Sequence, residues 1–279
     1  MGVVNVTPDS FFDGGRFLET ADAVAHARAL IASGADSLDI GAESTRPGAA
    51  PVSEAEELAR VVPVVAAIRA ESAIPLSVDT MKPEVARAAV AAGATMWNDV
   101  TALRWREDSL AAAADLGCAV VLMHMRGEPR TMQAAPAYED VVAEVQAFLI
   151  ARADAAIAAG VAREKIWLDP GIGFGKTGRH SLTLLAHLDR IVALGFPVLL
   201  GASRKSFLGK VDRTATAAAD RLGGSLAAAL AGAAAGVAAV RVHDVRETVQ
   251  ALAVRAAIEA ALEPSPRQAV RAQGEEPFA

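Results

Sequence analysis

Residues 169–177 read DPGIGFGKT, with three glycines in five positions ahead of a Lys-Thr pair, the residue types with which a backbone loop can wrap phosphate. The phosphate-binding form of such a loop needs a glycine five positions before the one that precedes the lysine. Here Gly175 precedes Lys176 and Pro170 occupies the required place, where a proline offers no N–H and fixes its own φ. The dinucleotide spacing fails as well, because Gly171 and Gly173 would need a third glycine at 176. The loop is therefore expected to serve some other cargo. Further residues with chemical potential are spread along the chain: Asn5, Asp39, Asp79, Asn98 with Asp99, His124, Asp169, the run Ser203-Arg204-Lys205-Ser206, and Arg241 with His243. Asp79, Asn98 and Asp169 offer acceptors plus one amide donor, which suits the amidine-like N–H edge of a flat heterocycle. Asn5, Arg241 and His243 suit an anion, directly or through a metal. Lys205 stands between the two sets in chain order. Each residue alone has a plainer reading, since an aspartate after a strand is commonly a turn former or helix cap; that fits Asp99 and Asp244 better than ligation. His124 reads equally well as a satisfied rim residue.

What must position these groups is a repeated unit. Short apolar or β-branched runs at 2–6, 37–40, 75–79, 95–99, 119–124, 166–169, 197–200 and 238–242 alternate with longer amphipathic, Ala-rich stretches. Gly34, Gly93, Gly117, Gly160, Gly195 and Gly236 each precede a strand by a few residues, as helix C-terminal caps do. Eight strands alternating with eight helices in about 250 residues predict an α/β fold, a single-domain (β/α)8 TIM barrel over residues 1–262. The polar, proline-containing stretch 263–279 is expected to be poorly ordered. In such a barrel the C-terminal strand ends share one rim, so polar residues far apart in sequence meet there. The first and last strands adjoin on closure, which brings Asn5 to Arg241 and His243. Two βα connections, 7–17 and 41–51, are long and rich in Gly, Pro and Ser and read as mobile loops over the mouth.

Composition narrows the function. The 279 residues are 53% hydrophobic with only 4% aromatics, enough for a large aliphatic core, and the net charge of −6 with pI near 5.5 argues against a nucleic-acid partner. Cys118 is the single cysteine and sits in an apolar run, so it reads as a buried thiol. The first ten residues lack the basic and apolar regions of a signal peptide. Residues 222–240 carry no charge, yet their Ala and Gly content makes them weakly hydrophobic, and a cytoplasmic protein with no membrane partner is expected.

The ordered segments NVTPDSFFDGG (5–15), DIGAESTRPGA (39–49), SVDT (77–80), ND (98–99), DPGIGFGKT (169–177), GASRKSFLG (201–209) and RVHDV (241–245) resemble the signature set of the dihydropteroate synthases over nearly the whole chain. The resemblance implies a transferase of folate biosynthesis that condenses 6-hydroxymethyl-7,8-dihydropterin diphosphate with 4-aminobenzoate. It implies a pterin pocket of Asp79, Asn98, Asp169 and Lys205. Arg241 would lie over the pterin face and, with His243 and Asn5, meet the diphosphate, Asn5 matching the family's Mg2+-contacting residue. Thr45, Arg46 and Pro47, with Phe174 and Ser206, would form the aminobenzoate end; Lys205, Arg241 and Asp79 would carry catalysis. A homodimer paired through the small-residue faces of 225–236 and 249–262 is implied too. Phe12 stands where the family usually has Ser, and Ala42 where it has Gly; the bulk of Phe12 bears on substrate and sulfonamide affinity. Many members also carry a hairpin ahead of the first strand that plugs the barrel floor, so sealing of that floor is in question. Two alternatives stay open: a non-catalytic pterin-binding relative, and a methyltetrahydrofolate-corrinoid methyltransferase on the same barrel, which has no reason to keep the SRKS, RVH and STRPGA segments.

Overall fold

The computed structural model describes residues 1–6, 16–43, 51–127 and 131–262, apart from the side chains of 16–19. In chain order the elements are β1 (Gly2–Asn5), α1 (Arg16–Ala32), β2 (Leu38–Gly41), α2 (Glu54–Glu71), β3 (Leu76–Asp79), α3 (Pro83–Ala91), β4 (Met96–Asp99), α4 (Ser109–Leu116), β5 (Ala119–Met123), α5 (Val141–Ala158), β6 (Ile166–Asp169), α6 (Gly178–Ala186), α7 (Leu188–Val192), β7 (Leu199–Leu200), α8 (Ser206–Val211), α9 (Leu222–Ala235), β8 (Ala239–Val240) and α10 (Val245–Leu262). The alternation expected from sequence is present, except that two helices rather than one follow both β6 (α6, α7) and β7 (α8, α9). All six helix-stop glycines take positive φ, from 58° at Gly117 to 116° at Gly93, where a side chain would strain the backbone.

Strands β1 to β6 form one parallel sheet in chain order, and β7 pairs with β8. Two narrow seams close the barrel. The Leu168 N–H donates to Pro197 O at 2.9 Å beside β7, and on the other side Val3 N–H donates to Val242 O at 3.1 Å while Val242 N–H donates to Met1 O at 3.0 Å. The last two strands are shorter than the runs that predict them because pairing beyond Leu199–Leu200 and Ala239–Val240 is confined to these single bridges. The architecture is a (β/α)8 barrel whose first and last strands adjoin.

The core is aliphatic, with Leu38, Ile40, Leu76, Val78, Leu122, Ile166 and Leu168 fully buried in the strands. Trp97 on β4 is fully buried as well, its indole N–H donating to Thr80 O at 2.8 Å, so its polar handle is satisfied. The uncharged stretch is helix α9, ended by Gly236 in the left-handed conformation and followed by β8. Among the described residues no helix is long and apolar enough to cross a membrane. At the N-terminal end of the barrel a cavity of about 600 Å³ lies among Met1, Ser77, Met96, Trp167, Val240 and Leu252. It lies away from the polar rim, so its size assigns no chemistry.

Candidate active site

Strand register builds the first row of the site. Asn5 pairs with Gly41, Gly41 with Asp79, and Asp79 with Asn98, so the ends of four successive strands stand side by side. A methyl at Gly41 would sit 3.2 Å from Asp79 Cβ, which explains a residue without a side chain between the two polar neighbours. One row deeper lies Asp39, fully buried in β2. Its Oδ2 accepts from the Asn98 amide at 3.1 Å and from Arg241 Nε at 2.5 Å, while Arg241 Nη2 donates to Asp79 Oδ2 at 2.9 Å. Arg241 therefore ties the heterocycle set to the anion set. It does not stand apart with His243 and Asn5. Asp39 Oδ1 is buried with no partner among the described residues, an acceptor left for a guest or a water.

The opposite wall is supplied by β6 and β7. Around Gly201 three groups converge: an added Cβ would lie 3.8 Å from Asp169 Oδ2, 3.8 Å from Lys205 Nζ and 4.0 Å from Arg241 Cδ. Asp79, Asn98, Asp169 and Lys205 thus surround one mouth, with Arg241 as the link between its two sides. Burial dominates their ionisation. It pushes the Asp79 carboxyl up to about 7 against the pull of Arg241, and raises Asp169 against the pull of Lys205 and the Gly171 N–H. Lys205 is brought down to about 8 by burial, opposed by Asp169. Burial also disfavours the Arg241 cation, but attraction to Asp39 and Asp79 overrides it and its pKa rises.

The glycine loop is the inverse of a phosphate cradle. Every carbonyl from 171 to 175 accepts from a side chain: Gly171 O and Phe174 O from Lys176 Nζ at 2.9 and 3.0 Å, Ile172 O from Lys205, Gly173 O from Gln133, and Gly175 O from Tyr138 at 2.8 Å. Gly171, Gly173 and Gly175 all have positive φ. A Cβ at Gly171 would overlap His124 O, and one at Gly175 would overlap Arg126 O, so the loop lies flat against the chain leaving β5. Phe174 packs on a buried cluster of Met81, Val100, Met123, Met125 and Met132, with Lys205 Nζ 4.6 Å from its ring centre. His124 is buried and neutral, its pKa lowered to about 3 by burial first and by Lys176 second.

On the anion side, His243 Nδ1 lies 3.0 Å from Ser203 Oγ, which also accepts from the His243 N–H at 3.2 Å. Arg204 is turned away and paired with Asp244, so Asp244 is a salt-bridge partner as well as a rim residue outside the site. Asp99 accepts from the N–H groups of Thr101 and Leu103 at 2.7 and 2.8 Å, the turn role expected of it. Ser206 is exposed at the start of α8. Thr45, Arg46, Pro47 and Phe12 lie outside the described residues, as does most of the two long loops. The neck of the second loop is described: Glu43 accepts from Val52 N at 3.1 Å and from Lys82 at 2.5 Å, and Lys82 also donates to the buried Glu57 at 2.5 Å.

Asp39 and Ser203 were among the rim candidates but were given no role, and Lys176 and Gln133 were not singled out as site residues. For Asp39 the available signal was a charge inside an otherwise apolar strand.

The sequence matches the pterin binding enzyme family over residues 1–243. It is 49% identical to the dihydropteroate synthase of Escherichia coli (strain K12) over 254 residues, 91% of this chain and 89% of that protein. Two solved structures of Xanthomonas albilineans dihydropteroate synthase are similar in fold. One, with 4-aminobenzoic acid, has a TM-score of 0.88 at 53% identity, covering 93% of this chain and 92% of that one. The other, with 7,8-dihydropteroate, has a TM-score of 0.85 at 50% identity and covers 93% of each chain.

Proposed function

The chain belongs to the pterin binding enzymes and, among them, to the dihydropteroate synthases, and from that premise we propose how its own residues divide the work. The reaction is the transfer of a pterin-methyl group from 6-hydroxymethyl-7,8-dihydropterin diphosphate to 4-aminobenzoate, giving 7,8-dihydropteroate and diphosphate. The observation that carries the assignment is the convergence of Asp169, Lys205 and Arg241 around Gly201, with Arg241 continuing to Asp39 and Asp79.

Asp79, Asn98 and Asp169 accept from and donate to the pterin edge, and Lys205 donates to a ring acceptor. Arg241 covers the ring face and reaches the leaving diphosphate with His243 and Asn5. Cleavage of the methylene carbon–oxygen bond sends its electron pair onto diphosphate and leaves a resonance-stabilised cation, which buried carboxylates stabilise. The arylamine nitrogen then forms the new bond and releases one proton. No side chain is a covalent nucleophile. Phe174, Ser206, Thr45, Arg46 and Pro47 would hold the arylamine.

Among the described residues no group of three or more His, Cys, Asp or Glu could hold a metal alone, and Asn5 supplies a single neutral oxygen at the rim. That donor set fits Mg2+ held mostly by diphosphate and water, the ion's usual preference, and the ion would neutralise charge on the leaving group. We further propose that residues 1–262 act as one catalytic domain, that the protein works in the cytoplasm, and that it pairs as a homodimer; the exposed Val254 and Ile258 of α10 support the last.

The test is diphosphate release dependent on 4-aminobenzoate, with and without Mg2+. A pterin-binding relative without turnover or a corrinoid methyltransferase would release none. Asp169→Asn should weaken pterin binding at least about tenfold, the loss of one charge-assisted pair; unchanged affinity by calorimetry removes Asp169 from the pocket.

A further inference from the structure

Lys176 looks like the phosphate-binding lysine of a P-loop and does something different. Its side chain is 2% exposed. Its Nζ reaches four acceptors: His124 Nδ1 at 2.8 Å, Gly171 O at 2.9 Å, Phe174 O at 3.0 Å and His124 O at 3.2 Å. An ammonium has three protons to give and needs its charge compensated when buried. Three carbonyl dipoles and a neutral imidazole supply that compensation here. Neutral His124 holds one ring proton, and with it on Nε2 the Nδ1 atom accepts from Lys176.

The bonds join the exit of β5, at His124, to two points of the glycine loop that flank Ile172 and Gly173. Between those points the loop meets Lys205, which donates to Ile172 O and lies over the Phe174 ring. The positive-φ glycines at 171, 173 and 175 set a path along which all five carbonyls from 171 to 175 meet side-chain donors. Gln133 and Tyr138 donate to Gly173 O and Gly175 O, Lys205 donates to Ile172 O, and the buried Lys176 binds the loop at two carbonyls, Gly171 O and Phe174 O.

We infer that Lys176 is a positioning residue for the known reaction: it holds the 171–175 loop from inside and so fixes the Phe174 ring and the resting place of Lys205 for the incoming arylamine, without touching either substrate. The inference rests on the proposed assignment of Phe174 to the arylamine site. Burial lowers the Lys176 pKa well below its ordinary value, with Asp169 opposing, so the cation among these acceptors is held against a desolvation cost.

The experiment compares wild type with Lys176→Met and the milder Tyr138→Phe, which removes the hydroxyl donor to Gly175 O alone. Steady-state kinetics in both substrates are read beside calorimetric affinity for the pterin diphosphate. Lys176→Met should raise KM for 4-aminobenzoate about tenfold or more while pterin affinity stays within about threefold, and Tyr138→Phe should move the same constant by about threefold. Amide hydrogen exchange at 171–175 should speed up in Lys176→Met. If KM for the arylamine is unchanged in both variants, or if arylamine and pterin binding fall together, the inference is overturned. Should Lys176→Met fail to fold, Tyr138→Phe decides by the same two constants. A wild-type protein that releases no diphosphate in response to 4-aminobenzoate defeats the functional reading instead, whatever Lys176 does.

Discussion

Replacing Gly171 by alanine tests whether the glycine loop is shaped by close packing or only by local flexibility. Two effects separate on the structure. The first is conformational: φ at Gly171 is 66°, and an L-residue in the left-handed region costs about 1–2 kcal/mol, partly offset by about 0.4–1 kcal/mol through a less flexible unfolded chain. The second is steric: the new methyl would overlap His124 O and sit 3.0 Å from His124 C, both backbone atoms that no rotamer change can move aside. Overpacking of that kind adds about 1–3 kcal/mol, for a total of roughly 2–4 kcal/mol. Gly117 provides the internal control, with φ at 58° and nothing within 4 Å of an added Cβ, so Gly117→Ala should cost no more than about 1.6 kcal/mol. Urea unfolding of the two variants, read beside KM for 4-aminobenzoate, covers both ways the strain can be relieved. Either the whole fold loses stability, or the loop shifts from His124 and arylamine binding suffers. If Gly171→Ala matches Gly117→Ala in stability and wild type in KM, the close approach has no energetic consequence and the reasoning fails.

Lys82→Met should destabilise the fold by about 3–5 kcal/mol by leaving Glu57, fully buried, without its cation, and Lys82→Met with Glu57→Leu should recover much of the loss; a double variant no better than the single one would contradict the account. In the ligand-free protein Asp79, raised by burial to about 7 from an unfolded value of 3.8, binds its proton more tightly when folded. Its contribution is full below pH 3.8 and is lost as pH rises to about 7, so Asp79→Asn should gain stability relative to wild type across that window. A pH-independent difference in unfolding free energy between the two proteins would show that burial does not govern this carboxyl.

Much of this arrangement was legible from the chain. Strand ends follow from the alternation of short apolar runs with Ala-rich helices, and the helix-stop glycines were readable because only glycine takes φ values such as 94° at Gly34 and 105° at Gly160 without strain. The joint polar rim followed from the barrel. What sequence did not carry is which groups touch. Asp39 lies a row below the rim, and its partner Arg241 is 202 residues away, so no spacing announces the pair. Lys176 follows a glycine-rich segment whose cargo the spacing leaves open, and its burial among the loop carbonyls depends on a path set by three positive φ values. A residue pattern records which conformations are permitted at each position; it does not record where a peptide oxygen points after several permitted turns.

The two buried pairs of Arg241 bear directly on how the proposed site would load. In the described arrangement three carboxylates, Asp39, Asp79 and Asp169, face two cations, Arg241 and Lys205, and burial drives both Asp79 and Lys205 toward neutrality. A diphosphate arriving alone must draw Arg241 from Asp39 and Asp79, leaving buried acceptors uncompensated at a cost of several kcal/mol per ion. A pterin ring arriving with it brings N–H donors to those acceptors, so the exchange leaves every group paired. In the proposed site ring and diphosphate would therefore assist each other through one guanidinium, and the negative charge that resists an anion arriving alone would favour the cation formed when the diphosphate departs.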